Sequence, residues 1–406
     1  MRTYWNRSIA LFTEREAFLN LLVCMVWGMM LFDYLRGIVN HLPVVNNFTD
    51  QIEIGCVLLP LCLAMPTLLT KFTLLDYGIF FFWVILFVCD YALHPDNTLA
   101  QNEFALQCLC VAYPAYFIGR IIDIRKFYHA FFLISTVCIL MSLYYFFHYI
   151  QTAKSIADIE SNENMYAAYC ALPHVTLMLW AALRHFNIVA MLLTLAGVVF
   201  LLSCGTRGPL LCLGVFGMCY FLGFMNFKHA YVVKGILLGV ATLALCFLKE
   251  IMVGLVLLFT RLHLSTRVIE KFLSGEIGND TGRESVRRAL LNYMDTYGDF
   301  FGLGYFGSTR FGYAYPHHFY VDFCITYGYV IGTALFAVCL LLLGSSLLKA
   351  RTTEARVFLC LLTSITVVKY FMSNTFLSDP FFFMLLGYCM RVQLNTNTVD
   401  HGCINK

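Results

Sequence analysis

Apolar runs long enough to cross a lipid bilayer recur along the whole sequence, and short polar or basic stretches separate them. A helix that spans the hydrocarbon core of a bilayer needs about 20 mainly apolar residues. We therefore expect one polytopic all-α membrane protein rather than a series of soluble domains. The 406 residues contain twelve candidate spans, at about 17–33, 51–69, 73–93, 103–120, 128–150, 164–183, 187–205, 208–226, 230–249, 320–348, 354–372 and 378–395.

The composition excludes two broad classes of protein. Hydrophobic residues make up 60% of the chain and charged residues 13%. A soluble domain is about half apolar and about a quarter charged, so this chain could not bury its apolar surface in an aqueous fold. The net charge is only +3, and the basic residues lie singly between apolar runs. The sequence therefore argues against a soluble multidomain enzyme and against a nucleic-acid partner, and membrane lipids are its expected surroundings.

The distribution of Lys and Arg predicts the orientation in the membrane. An even number of spans places both termini on one side, and short basic loops mark the cytoplasmic side. The first apolar run has no convincing cleavage site, which indicates a retained span. The short loops opposite the N-terminus hold only Arg36, Lys154, Arg207 and Lys369. Both termini are therefore expected in the cytoplasm, together with Arg2, Arg7, Arg15, Lys71, Arg120, Arg125, Lys126, Arg184, Lys228, Lys349, Arg351, Arg356, Arg391 and Lys406.

One segment, residues 250–319, breaks the pattern of spans because it is rich in Arg, Glu, Asp, Gly and Asn. The topology places this segment on the outer side of the membrane. The expected organisation is spans one to nine over 1–249, a large outer loop over 250–319, and spans ten to twelve with a cytoplasmic tail over 320–406.

The outer loop is expected to contain short helices. Val286, Leu290, Tyr293 and Tyr297 recur at helical spacing, which predicts an amphipathic helix over 284–297. Four glycines follow it and indicate turns, namely Gly302, Gly304, Gly307 and Gly312.

Arginines at two places on the predicted outer side of the membrane are candidate anion ligands. Arg207 lies between two spans, where Gly205 and Gly208 permit a reversal and a following helix N-terminus favours phosphate. A headgroup contact explains this arginine equally well. Arg283 and Arg287 are four residues apart on one helix face and could clamp a pyrophosphate, with Arg288 beside them. For Arg287 and Arg288, a solvated face on which Glu284 pairs with Arg288 is the more common explanation.

Two adjacent histidines, His317 and His318, precede the tenth span, and Asp322 follows within about one helical turn. An imidazole titrates near neutral pH, so one of them could activate a hydroxyl, although an interfacial histidine is equally common. Neighbouring residues on a helix point to different faces, which argues against a metal site. Lys369 could bind an anion or reach the headgroups. The acidic pair Asp158 and Glu160 is more typical of a solvated loop than of a metal site.

Three motifs in the second half of the chain resemble those of the bacterial O-antigen ligase and polymerase superfamily. Residues 207–211, Arg-Gly-Pro-Leu-Leu, are similar to its Arg-x-x-x-Leu element. Gly282-Arg283 followed by Phe-Gly-Leu-Gly at 301–304 resembles its Gly-Arg and Phe-Gly-x-Gly loop. His317-His318, followed after nine residues by Gly328, resembles the histidine-to-glycine pattern of the ligases. The chain departs from that pattern at His318, which replaces an amide or hydroxyl residue, and at Ile331, which replaces a small residue.

The resemblance implies an inverting membrane glycosyltransferase that needs no metal or other cofactor. Its donor would be a glycan linked to undecaprenyl diphosphate, and its acceptor the lipid A core or another lipid-linked glycan. His317, Arg207 and Arg283 would be catalytic, and substrate would contact Arg287, Arg288, His318, Lys369 and Asp322. The site would face the periplasm of a bacterium, at the inner membrane. The histidine-to-glycine spacing favours a ligase over a polymerase, and a flippase for the same lipids is an alternative of a different class.

Overall fold

The computed structural model of the protein describes residues 16–29, 49–145, 162–185, 187–224, 247–261, 266–274, 282–298 and 300–400, with positions 11, 235 and 239. Regular structure in these ranges consists of helices, without an extended β-strand, which confirms the all-α prediction for the described part of the chain. The ninth expected span, 230–249, lies largely outside the described residues. Asp158 and Glu160 lie outside them as well.

The described residues contain the following α-helices, given in chain order. They are α1 Ala17–Trp27, α2 Thr49–Lys71, α3 Leu74–Leu93, α4 Thr98–Leu106, α5 Ala115–Ile121, α6 Ile124–Tyr145, α7 Asn162–His185, α8 Ile188–Ser203, α9 Arg207–Cys219, α10 Leu248–Arg261, α11 Arg267–Leu273, α12 Arg283–Tyr297, α13 Phe319–Lys349, α14 Thr353–Thr363 and α15 Pro380–Asp400. Short 3₁₀ turns at Pro95–Asn97 and Gly307–Phe311 and π turns at Gln107–Ala112, Tyr220–Phe224 and Ser364–Val368 complete the described helical structure.

Within the described residues, 6 helical segments are long and apolar enough to cross a membrane, as is typical of a membrane protein. Shorter apolar helices accompany them, so a total of twelve spans and a periplasmic loop stay predictions. The spanning segments are Leu74–Leu93, Pro95–Ile121, Ile124–Tyr144, Tyr166–Arg184, Arg207–Phe224 and Phe319–Lys349. The shorter apolar helices are Ala17–Trp27, Leu58–Lys71, Ile188–Ser203 and Pro380–Leu394.

Polar residues at helix ends define where several of these helices begin. Thr73 forms a capping box with Asp76, in which each side chain bonds the backbone N–H of the other. The Asn187 side chain accepts hydrogen bonds from the first turn of α8. Thr352 does the same for α14, where its hydroxyl accepts from Ala355 N–H. Each cap satisfies backbone donors that the helix cannot satisfy itself.

The chain forms two compact units, of which unit 1 contains Met1–Phe131 and Thr281–Lys406 and unit 2 contains Phe132–Asp280. The expected outer loop therefore contributes residues to both units. In unit 1, α5 and α15 approach so closely that a Cβ at Gly119 would overlap the Met384 carbonyl, and one at Gly387 would overlap the Tyr116 carbonyl. Glycine at these two positions permits the contact of the two backbones.

Aromatic side chains fill the rest of the core of unit 1. The Trp27 ring stacks on Phe131 with centroids 4.4 Å apart, and Phe358 and Phe381 surround the same indole. Farther along, Phe323 stacks on Phe376 at 4.1 Å. The Phe323–Phe376 contact connects the segment after α14 with the first turns of α13, which carry the site described below.

In unit 2, α7 packs against α8 at a glycine and is joined to α6 by a polar pair. The Cβ of an alanine at Gly197 would approach a Val175 methyl at 2.5 Å, which indicates close helix packing. The buried Ser135 hydroxyl lies 3.0 Å from His174 Nδ1. Both polar groups therefore have a hydrogen-bond partner inside an apolar core.

Candidate functional site

Helix α13 is broken at Gly328, where the backbone adopts φ 79° and ψ 165°. The loop of residues 300–304 lies against this break, and Leu303 N–H donates to the Ile325 carbonyl at 2.7 Å. A Cβ at Gly328 would overlap the Phe300 carbonyl oxygen, and one at Gly302 would lie 2.5 Å from the Ile325 oxygen. The two glycines allow the loop to dock on the broken helix, and they correspond to the glycines of two of the sequence motifs.

A buried carboxylate at the end of α3 holds the other side of this loop. Asp90 Oδ2 accepts hydrogen bonds from Tyr305 N–H at 2.8 Å and from Gln101 Nε2 at 2.7 Å. Asp90 Oδ1 lies 2.8 Å from His94 Nδ1. The exposed fraction of Asp90 is 6% and that of His94 is 8%. One carboxylate thereby joins three segments of the chain in an environment where hydrogen bonds are difficult to replace.

The sequence analysis did not identify this network. Asn97 adds to it, because its side-chain amide donates to the Leu303 carbonyl at 2.7 Å. A Cβ at Gly304 would lie 2.5 Å from His94 Nδ1, so this glycine is required by the close approach of the imidazole. The signal in the sequence is an aspartate and a histidine four residues apart at the end of an apolar run, since polar residues there are costly unless paired.

The two histidines of the sequence motif occupy the entry to α13. His317 has φ 56°, a left-handed conformation that is uncommon for residues other than glycine. His318 has an extended backbone and is the N-cap residue of the helix. The Tyr315 ring lies edge-on to the His317 ring at 4.5 Å, and His318 lies 5.1 Å from the Phe371 ring. The strained conformation turns consecutive imidazoles into different surroundings.

The segment 369–379 packs beside the histidines and is held by buried polar pairs. The Tyr315 hydroxyl lies 2.9 Å from Ser373 Oγ. Lys369 forms an ion pair with Asp379, and both side chains are less than a tenth exposed. Lys369 is thus directed into the protein and bonded there, rather than extended to lipid headgroups.

Asp322 lies one turn into α13 and is 5% exposed. Its Oδ2 accepts a hydrogen bond from Thr375 Oγ1 at 2.8 Å. The surrounding cavity measures about 10 Å³, enough for about one water molecule. In this arrangement Asp322 connects α13 to the 369–379 segment. Its contact with a substrate stays a prediction.

Helix α12 confirms the amphipathic helix that the sequence predicts. Leu290 and Met294 are buried, and Val286 and Tyr293 pack against the same cluster. Tyr297, which the sequence places on this stripe, is 64% exposed, and Met294 is buried instead. Hydrophobic contacts along this face hold the helix over the segments around Leu303 and Cys324.

The arginines of α12 differ in their surroundings. Arg283 begins the helix directly after Gly282, which has φ 84°. Glu284 accepts from Arg287 Nη2 at 2.5 Å and from Arg288 Nε at 3.0 Å, as the solvated-face alternative predicts. The Arg287 side chain is 27% exposed, whereas that of Arg288 is 75% exposed. Hydrogen bonds from both arginines lower the pKa of the Glu284 carboxyl, that of Arg288 most.

The charges of Arg287 and Glu284 also affect the pKa of His318. The first turn of α12 therefore lies close to the start of α13. Burial lowers the pKa of the His318 imidazole below its ordinary value, the positive charge of Arg287 lowers it further, and Glu284 opposes both. Within the described residues, neither Arg287 Nε nor His318 Nδ1 has a hydrogen-bond partner, although both atoms are buried. Two polar atoms in one neighbourhood are therefore available to a polar ligand or to water.

Arg207 belongs to unit 2 and is the first residue of α9. Gly205, with φ 70°, supplies the reversal that the sequence predicts. A Cβ at Gly208 would overlap the Tyr169 hydroxyl, so this glycine permits a close side-chain contact. The helix N-terminus gives Arg207 the surroundings of a potential anion ligand. Its meeting with Arg283 stays a prediction.

Unit 1 thus brings together several residues that the sequence singles out. Arg283, Arg287 and Arg288 share one helix, and Arg287 lies in the electrostatic environment of His318. His317 is its neighbour, and Asp322 and Lys369 support the adjoining segments. These features define a helical membrane protein with an arginine and histidine site at one end of unit 1. No protein-family description, curated protein or solved structure matches the chain.

Proposed function

We propose that this chain is a membrane glycosyltransferase of the O-antigen ligase kind. The single observation that supports it most is the placement of His318 beside the head of α12, where Arg287 influences its imidazole. Arg283 lies one turn earlier on that helix, and His317 precedes His318. A glycosyl transfer from a lipid diphosphate needs both parts, cations for the leaving group and a base for the acceptor.

The proposed reaction is an inverting displacement. The acceptor oxygen forms a bond to the anomeric carbon of the donor glycan while the bond from that carbon to the phosphate oxygen breaks. The electron pair of the broken bond leaves with undecaprenyl diphosphate, whose negative charge Arg283, Arg287 and Arg207 would stabilise. The acceptor proton passes to the imidazole of His317 or His318. Charge stabilisation by arginine makes a divalent ion unnecessary in this scheme.

The orientation belongs to the same proposal. In unit 1, basic residues of separate segments meet at one place: Arg391 donates to the Ile122 carbonyl, Arg125 pairs with Glu354 and Lys349 bonds Gln393. The positive-inside rule assigns this end to the cytoplasm. Helix α3 runs from Leu74 to Leu93, and its first turn, with Asp76, lies beside Arg120. Asp90 and the loop with the histidines would then face the periplasm of a bacterial inner membrane, with both termini cytoplasmic.

Reconstituted protein tests the activity. Purified protein in liposomes is supplied with an undecaprenyl-diphosphate glycan and either lipid A core or a second lipid-linked glycan, with a chelator present. Transfer to lipid A core supports a ligase, and transfer to the lipid-linked glycan supports a polymerase. Arg283→Ala, Arg207→Ala and His317→Ala should each lower the rate by about 100-fold or more.

Arg288→Ala distinguishes the substrate contact that the resemblance implies from a solvated helix face. Arg288 shares the helix and the Glu284 partner of Arg287 but is largely exposed, which favours the solvated face. Its rate should stay within about twofold of the unaltered protein. Full activity in both His317→Ala and His318→Ala would remove the proposed base. Movement of the lipid-linked glycan across the bilayer without transfer would support a flippase instead.

A further inference from the structure

The basic end of unit 1 contains a cavity of about 230 Å³. This is many times the roughly 10–15 Å³ that one water molecule needs. Its walls come from the turn between α5 and α6, the turn between α13 and α14, the first turn of α14, and α15. The lining residues are Asp123, Ile124, Arg125, Lys349, Ala350, Arg351, Thr352, Ala355, Tyr388, Arg391 and Val392.

Positive charge predominates in this lining. Arg125, Lys349, Arg351 and Arg391 face the cavity together with one carboxylate, that of Asp123. Arg391 Nη2 lies 3.6 Å from Asp123 Oδ2, a long contact that neutralises the cavity only in part.

The other ion contacts leave much of this charge in place. Lys349 Nζ donates to the neutral Gln393 Oε1 at 2.6 Å. Arg125 is 61% exposed and contacts Glu354 at 3.3 Å. The first turn of α14 also points its backbone N–H groups toward this end, beyond the one that Thr352 caps. The cavity therefore has a positive potential that favours an anion.

The positive-inside rule alone requires basic residues at this end but does not require that they converge. Basic groups on separate solvated loops would satisfy the rule equally. Here side chains from three separate segments line one concave space at the ends of Pro95–Ile121, Ile124–Tyr144 and Phe319–Lys349, which are long and apolar enough to span a membrane. Leu348, directly before Lys349, is 84% exposed and offers apolar surface beside the charges.

We infer that this cavity binds the phosphate headgroup of an anionic membrane lipid. The guanidinium and ammonium groups would bind the phosphate oxygens, and the acyl chains would follow the exposed apolar surface of α13. The inference does not depend on the proposed transferase activity, because the cavity residues differ from those of the arginine and histidine site.

Lipid binding to the purified full-length protein in a neutral detergent tests the inference. The probes are short-chain phosphatidylglycerol, phosphatidylcholine of the same chain length, and glycerol 3-phosphate, which has the phosphate without the acyl chains. We expect phosphatidylglycerol to bind most tightly. Each lost basic residue should weaken its binding about fivefold, so the double variant Lys349→Gln with Arg351→Gln should lose about 25-fold.

Lys126→Gln is the matched control, since it removes one positive charge beside Arg125 but does not line the cavity. Its affinity should change by less than about twofold, and thermal unfolding without lipid should be unchanged in both proteins. The inference would be overturned if Lys126→Gln lost as much affinity for each removed charge as the double variant does. Diffuse attraction to a positive surface would then explain the binding. Equal binding of glycerol 3-phosphate and phosphatidylglycerol would overturn the lipid assignment and identify a site for a soluble phosphate.

Discussion

Helix α3 carries a buried aspartate near each of its ends, and different chemistry satisfies the two carboxylates. Asp76 is fully buried and accepts from Arg120 Nε at 2.5 Å and from the Tyr116 hydroxyl at 2.9 Å. Asp90 accepts from Gln101 and from the backbone of Tyr305, and it contacts His94. One end is fixed by a permanent cation. The other is fixed by neutral donors and an imidazole.

The two ends of α3 therefore have different structural roles. The partners of Asp76 lie on the neighbouring α5 and in the cap of α3, so this ion pair fixes the position of one helix against another. Asp90 reaches Tyr305, 215 residues away in the sequence, and holds the loop that docks on Gly328. Rigid anchoring by an ion pair thus lies at the basic end, and the loop end carries imidazoles, the side chains whose ordinary pKa lies nearest neutral pH.

The largest effect is expected from Arg120→Ala. This change leaves the Asp76 carboxylate buried without its cation, which costs about 3–5 kcal/mol of folding free energy. The thermal unfolding midpoint of the purified protein in detergent should fall accordingly. Lys71→Ala is the control, because Lys71 pairs with Glu16 at a site where its side chain is 37% exposed. An exposed pair is worth about 0–1 kcal/mol. Equal midpoints for the two variants would contradict the assignment of Asp76 as the anchor.

Gly328→Ala should have the next largest effect, at the loop end. The left-handed backbone and the overlap with the Phe300 carbonyl together cost about 2–4 kcal/mol. The loop of residues 300–304 should lose its docking, which protease sensitivity in this segment would detect. Gly344→Ala on the same helix is the control, since no atom lies within 4 Å of its added Cβ. Unchanged protease resistance in Gly328→Ala would show that the loop does not depend on the helix break.

Asp90→Asn should have a smaller effect on stability. The amide oxygen can still accept from both Tyr305 N–H and Gln101, but these hydrogen bonds lose the negative charge of the carboxylate, and the amide nitrogen then faces His94. The weaker network should cost about 1–3 kcal/mol. Hydrogen exchange at the Tyr305 amide should accelerate by about fivefold or more. Asp96→Asn is the control, because Asp96 pairs with Arg310 while 68% exposed. Unchanged slow exchange of the Tyr305 amide in Asp90→Asn would mean that the contact with α13 at Gly328 is enough to hold the loop.

The sequence predicts the helices well, because long apolar runs and basic connections are local signals. The helix over 284–297 is confirmed for the same reason, with α12 at Arg283–Tyr297. The contacts of Asp90 with Tyr305 and of Gly302 with the break at Gly328 could not be predicted. They join residues far apart in the chain, and apolar periodicity carries no information on such pairs. The motif glycines were recognised, but their packing role became evident only in three dimensions.

The smallest effect concerns the pH response of the loop end. Burial and Arg287 hold the pKa of His318 below its ordinary value, so the imidazole is neutral at pH 7 and is protonated only in more acidic solution. Arg287→Gln removes a positive charge and should raise this pKa. Glu284→Gln removes a negative charge and should lower it. Both shifts should amount to a fraction of a pH unit, up to about one. Titration of isotope-labelled histidine by nuclear magnetic resonance measures them without reference to activity.

Opposite signs are the decisive feature of this pair of variants. A general loosening of the head of α12 would expose His318 in both proteins and would raise its pKa in both, because burial is the main cause of the present shift. If the proposed base is His318, the acid limb of the transfer rate should move to higher pH in Arg287→Gln and to lower pH in Glu284→Gln. Movement of the imidazole titration without movement of the acid limb would assign the base to His317. The same variants should leave the ion pair of Asp76 with Arg120 intact, since Arg120 keeps its charge throughout this pH range. The thermal unfolding midpoint of the protein should therefore be unchanged.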